Sequence, residues 1–169
     1  MSMNPFRWSF RTRMLAASVA CFSLIGFAVF SQLQWGLDPC PLCIFQRIAF
    51  AALGVVLLAA GLHAPRVAWG RRGWSLLSLV AAGVGASIAG RHVWIQLFPP
   101  PVPACGPPLD FLRETLSTGH LIRRVLTGTG DCGIVDWTFL GLSMPAWSLL
   151  WFILLAAWAL HAGFRSARK

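Results

Sequence analysis

The sequence predicts an all-α membrane protein: a four-helix transmembrane bundle with two loops on one side, the second carrying a short amphipathic helix. Three observations predict it. Of 169 residues, 57% are hydrophobic and 11% charged, where a soluble domain carries about 25% charged residues. Four stretches stay apolar over the roughly 20 residues that a bilayer-spanning helix needs. The basic residues are unevenly shared among the segments that join those stretches. In lipid every backbone polar group must be satisfied internally, so the spans are helices, and the strict alternation of a membrane β-barrel is absent. A formal charge of +9 would suit nucleic acid only as a basic face on a soluble fold, and the apolar runs exclude such a fold.

The chain, 1–169, reads as a single integral membrane domain. The first span covers about residues 14–33 and follows Arg7, Arg11 and Arg13. Its apolar run exceeds the 7–15 residues of a signal-peptide core and no small-x-small cleavage site closes it, so an uncleaved span is expected. A short loop, about 34–42, leads to the second span at 43–62. The third span, 74–97, carries Ala81, Gly85 and Ala89 at four-residue spacing, with Ala82, Ala86 and Gly90 beside them. Small residues of this kind let helix backbones approach closely in lipid. The long loop, about 98–144, opens with Pro99-Pro100-Pro101-Val102-Pro103. Within it Leu112, Leu116, Leu121, Ile122, Val125 and Leu126 allow a short amphipathic helix along the membrane surface. The fourth span runs from 145 to 164. Trp35 and Trp94 suit one membrane interface, and Trp69 and Trp74 the other.

Charge sets the expected orientation. Arg7, Arg11, Arg13, Arg66, Arg71, Arg72, Arg165, Arg168 and Lys169 share one side with no acidic residue. The other side sets Arg47, Arg91, Arg113, Arg123 and Arg124 against Asp38, Asp110, Glu114, Asp131 and Asp136. By the positive-inside rule both termini are expected to be cytoplasmic, with the short loop at about 34–42 and the long loop at about 98–144 facing outward.

Four of the five cysteines fall on the outward side. Cys21, in the middle of the first span, reads as a small buried hydrophobe. Cys105 and Cys132 lie in the long loop with 26 residues between them, and a bridge there would stabilise the fold by roughly 3 kcal/mol. Cys40 and Cys43 form a Cys-x-x-Cys, which closes almost no loop and is more often redox-active or metal-binding. The set lacks the second close pair usual in a zinc site, so no metal is expected. Pro41 suits a first helical position, which puts both sulfurs at a helix N-terminus, where the dipole favours a thiolate. Arg47 lies one turn beyond Cys43. So close to the hydrocarbon it either reaches lipid headgroups or stabilises an anion beside Cys43.

The run Pro39-Cys40-Pro41-Leu42-Cys43-Ile44-Phe45-Gln46-Arg47 resembles the first-loop motif of the disulfide bond formation protein B (DsbB) family. Gly130-Asp131-Cys132, followed by Asp136-Trp137-Thr138-Phe139-Leu140-Gly141-Leu142-Ser143-Met144-Pro145, resembles that family's second-loop exit and fourth span. The order of spans, loops and cysteine pairs agrees along nearly the whole chain. The resemblance implies a thiol:quinone oxidoreductase of the bacterial inner membrane, with its redox cysteines in the periplasm. It implies ubiquinone or menaquinone as electron acceptor, and through it the respiratory chain. It implies a soluble DsbA-like thiol oxidase as partner, membrane lipid around the spans, and no nucleic acid. Carried over by position, Cys105 is attacked by the partner's thiolate, Cys132 attacks Cys40, and Cys43 faces the quinone with Arg47 beside it. His92 matches a histidine that the family places near the quinone. Gln46 stands where some members carry Glu, which would leave Arg47 without an adjacent carboxylate. Structural disulfides, a metal site, or an enzyme resembling vitamin K epoxide reductase are the alternative readings.

Overall fold

The computed structural model describes residues 8–36, 39–99, 133, 135 and 137–165. Cys105, Cys132 and the amphipathic segment expected within 109–126 lie outside the described residues. The elements are α1 (Phe10–Trp35), α2 (Pro41–His63), α3 (Ala68–Leu97), β1 (Thr138–Phe139), β2 (Leu142–Ser143) and α4 (Met144–Phe164). All four helices are long and apolar enough to cross a membrane, and together they form the four-helix bundle that the sequence predicts.

Local chemistry sets the helix ends. The Ser9 hydroxyl accepts from the Thr12 amide to cap α1, and Gly36 closes it at φ 61°, in the left-handed region that glycine enters without strain. Cys40 is the N-cap of α2, its sulfur accepting from the Cys43 amide, and Pro41 is the first helical residue. Ser143 holds the N-cap position of α4 without a side-chain bond to the helix start, and Pro145 lies in the first turn. Helix hydrogen bonds satisfy the backbone between these points, as lipid demands.

Consecutive helices are neighbours, and α1 closes the ring against α4 along its thinnest seam. One end of the bundle carries the start of α1, the end of α4 and the α2–α3 turn; the other carries the end of α1, Cys40 and the β1–β2 hairpin. The core is apolar and mostly small: Ala17 and Cys21 from α1, Leu53 and Leu57 from α2, Ala82 and Ala89 from α3, Leu155 and Ala159 from α4. Cys21 is thus part of the core. At the centre Phe50 of α2 and Phe152 of α4 stack with ring centroids 3.9 Å apart. Gly85 lets α3 approach this stack, since any side-chain carbon there would overlap the Phe152 ring. The buried face of α3 runs Ser75, Ser78, Ala82, Gly85, Ala89, His92, Ile95. Gly85 and Ala89 are therefore packing residues as expected, and Ala82 rather than Ala81 completes the row. Outward-facing Val19, Val55, Val80 and Ile153 are all more than half exposed, which is the surface that lipid would cover.

The hairpin was not foreseen in the sequence. Thr138 pairs with Ser143 and Phe139 with Leu142. Leu140 and Gly141 both turn at positive φ, 52° and 78°, as a two-residue hairpin turn requires. The Trp147 indole donates to the Phe139 carbonyl at 3.0 Å, and Ser143 bonds Gln96 of α3 at 2.7 Å. Trp137 packs edge-on against Phe27 of α1, so the hairpin leans across the thin α1–α4 seam. Trp35, Trp94 and Trp69 are exposed as interface anchors would be, whereas Trp74 packs partly against the core.

Candidate active site

The first two turns of α2 meet the last turns of α3 and α1, and this junction gathers the described site residues. Because Cys40 is the cap and Pro41 the first helical residue, Cys40 Sγ sits over the open amides of the helix start. The two sulfurs are 3.1 Å apart as thiols, and the Cys43 amide donates to Cys40 Sγ at 3.4 Å. Both cysteines are half-buried. Leu42 and Ile95 close the apolar floor beneath them, with Cys40, Phe45 and Ile88 packed alongside.

His92 occupies the buried face of α3 three residues past Ala89, and only 2% of it is exposed. Its Nε2 lies 3.7 Å from Cys40 Sγ, and its Nδ1 lies 3.0 Å from Gln46 Nε2. The Gln46 amide donates to Nδ1, so the ring proton sits on Nε2 and points at Cys40. Gln46 is itself buried. Each buried polar group in this pair satisfies the other, which is the condition for placing them in an apolar setting. A histidine proton aimed at a sulfur can stabilise negative charge there as a sulfur–sulfur bond breaks.

Arg47 turns the other way. Its Nη1 donates to Gln32 Oε1 at 2.8 Å and its Nη2 to the Ala28 carbonyl at 3.1 Å, both on α1. Gln46 and Arg47 are therefore not competing for one partner: Gln46 serves α3 and Arg47 binds α1. The expectation that Gln at 46 strips Arg47 of an adjacent partner does not describe this geometry, because neighbouring helix positions point about 100° apart. All five acidic residues of the chain lie outside the described residues, so the described site is neutral or positive throughout. A guanidinium offers five donors, and the two bonds to α1 leave others for an acceptor between the helices.

The structure thus brings Cys40, Cys43 and His92 together and places Arg47 one turn deeper on α2; Cys105 and Cys132 lie outside the described residues. Sequence reasoning missed Gln46 as the histidine's support and Gln32 as the arginine's. The available signal was polarity: each is a glutamine at the end of an otherwise apolar span.

A dithiol capping a membrane helix, with a buried histidine directed at one sulfur, defines a multi-pass membrane thiol oxidoreductase. The profile of the disulfide bond formation protein DsbB family matches residues 10–162, and the chain belongs to this family, whose members are disulfide-forming oxidoreductases. It is similar to the disulfide bond formation protein B of Xanthomonas axonopodis pv. citri, with 59% identity over 168 residues, 99% of this chain and 98% of the relative. The protein of that name from Xanthomonas euvesicatoria pv. vesicatoria is 58% identical over the same shares. That from Xylella fastidiosa strain 9a5c is 51% identical over 99% of this chain and 97% of the relative. Enzyme membership sets aside the reading in which the cysteines only staple the loops.

Proposed function

We propose that this enzyme oxidises a soluble DsbA-like thiol partner in the periplasm and delivers the electrons to a membrane quinone. The contact between Cys40, Cys43 and His92 at the lipid-side start of α2 carries the reading. An outward cysteine end is supported by the charge pattern of the sequence, whose unaccompanied basic residues precede α1, join α2 to α3 and follow α4.

Electrons balance over four exchanges. A partner thiolate attacks Cys105 of a Cys105–Cys132 disulfide, forming a mixed disulfide and releasing the Cys132 thiolate. Cys132 attacks Cys40, breaking Cys40–Cys43 and releasing the Cys43 thiolate. The partner's second thiolate resolves the mixed disulfide and leaves oxidised; the freed Cys105 attacks the Cys40–Cys132 bond and restores its own pair. Cys40 and Cys43 are left as a dithiol, which must lose two electrons and two protons to close again. A bound quinone supplies the sink for both. Its carbonyl oxygens need donors, and the spare N–H groups of Arg47 and the lipid-accessible start of α2 fit that need. His92 holds its Nε2 proton against Cys40, favouring the charge that develops there when the Cys40–Cys132 bond breaks.

Steady-state oxidation of the reduced partner by purified enzyme and a short-chain quinone tests this. Cys43→Ser should reduce turnover to background, and a normal rate would contradict the assignment. Arg47→Ala should raise the KM for quinone about tenfold while the partner is still trapped through Cys105 in a Cys132→Ala background. An unchanged quinone dependence would remove Arg47 from the site.

A further inference from the structure

We infer that the reduced site is also a binding site for a borderline-soft d10 cation such as Zn2+, held by Cys40, Cys43 and His92. The ligating atoms of these three side chains all lie within 4.8 Å of one another. Tetrahedral zinc with ordinary bonds to sulfur and nitrogen sets its ligand atoms about 3.5–3.8 Å apart. Cys40 Sγ and His92 Nε2 already stand at 3.7 Å, and the sulfurs, at 3.1 Å, need only a small side-chain rotation to part. The third ligand comes from α3, fifty-two positions from Cys40, which is why the linear spacing hides the set.

The surroundings suit a metal. A ligating histidine is normally oriented through its other ring nitrogen, and Gln46 already bonds Nδ1 at 3.0 Å. With a cation on Nε2 the proton moves to Nδ1, and a half-turn of the Gln46 amide presents its oxygen to receive it. On binding, each thiol loses its proton to solvent. Two thiolates and a divalent cation sum to zero, so no net charge is left in this poorly solvated place. Three protein ligands leave a fourth position open.

The consequence is exclusion. The same two sulfurs cannot hold a cation and a disulfide, so binding removes the pair from the redox cycle without any electron transfer. A cation at a hundred times its Kd would favour the dithiol a hundredfold, equivalent to about 59 mV. Binding depends only on the dithiol, whatever accepts the electrons, so it stands or falls separately from quinone use.

The test uses full-length protein carrying Cys105→Ser and Cys132→Ser, reduced and then freed of reductant without oxygen. Co2+ alone is the probe, read by its sulfur-to-metal charge-transfer and tetrahedral d–d bands. One equivalent should saturate the signal and Zn2+ should displace it. His92→Ala should weaken binding at least tenfold, Gln46→Ala less, and His92→Cys should keep tetrahedral binding, which separates ligand loss from misfolding. An identical titration in His92→Ala, or a signal that persists after Cys40 and Cys43 are oxidised, would overturn the site.

Discussion

At mid-membrane, α3 turns Ala82, Gly85 and Ala89 toward the Phe50–Phe152 stack; one turn beyond Ala89 the same face presents His92 to Gln46 and Cys40. The middle leaves no space above Gly85 for even one added carbon. The cysteine end buries a histidine and a glutamine that satisfy each other and leaves both sulfurs half-exposed. In lipid the apolar side chains gain little from leaving their solvent, so close packing must hold the helices. That packing sets the height and rotation of α3 against α2, and through them the Cys40–His92 distance. The core is thus the positioning device for the site, and the site can be chemically adjustable because the core is not.

Substitutions in the two regions should separate these roles. The largest effect is expected at Gly85→Ala, whose added carbon meets the Phe152 ring. Overpacking of this kind costs about 1–3 kcal/mol, and should lower the thermal unfolding midpoint in detergent. An unchanged midpoint would mean that the middle yields freely and does not position α3. His92→Ala should leave the midpoint nearly unchanged and slow turnover about tenfold to a hundredfold, an effect of roughly 1.4–2.7 kcal/mol on the barrier. If instead stability falls and the rate of the folded fraction holds, His92 belongs to the packing and not to the chemistry. Gln46→Ala should slow turnover severalfold, since it removes the support and not the proton donor; Gln46→Glu should not restore the rate, because a carboxylate only accepts and draws the ring proton to Nδ1, away from Cys40. The smallest effect is expected in the hairpin. Gly141→Ala places a side chain at φ 78°, a strain of about 1 kcal/mol. Proteolysis at the hairpin should quicken while disulfide exchange between Cys40 and Cys43 is unaltered.

How much of this the sequence revealed depends on range. The four spans were legible because a bilayer imposes a length and an apolar composition on each, whatever its neighbours do. The start of α2 was legible because Cys40, Pro41 and Cys43 act within one turn. Cys21 was legible because it sits in the middle of a span that contains no charged residue. Contacts between spans were not. The His92–Cys40 contact needs the register of α3 against α2, and the contact that bears on it, the Phe152 ring of α4 between Gly85 of α3 and Phe50 of α2, is itself long-range. Gln46 was read beside Arg47 because the two are adjacent in sequence, yet a helix sends adjacent side chains to different partners. The hairpin escaped notice because two-residue strands carry no periodic signal, and only Leu140-Gly141 marks the turn.

The central claim is that Cys40 and Cys43 are the pair that gives electrons to quinone. It is tested most directly in protein carrying Cys105→Ser and Cys132→Ser, which retains three of the five cysteines: Cys21, Cys40 and Cys43. Fully reduced and mixed with a short-chain quinone in the absence of oxygen and partner, it should form one quinol per chain. Titratable thiols, counted after unfolding, should fall from three to one. Retention of all three thiols with no quinol formed would contradict the account.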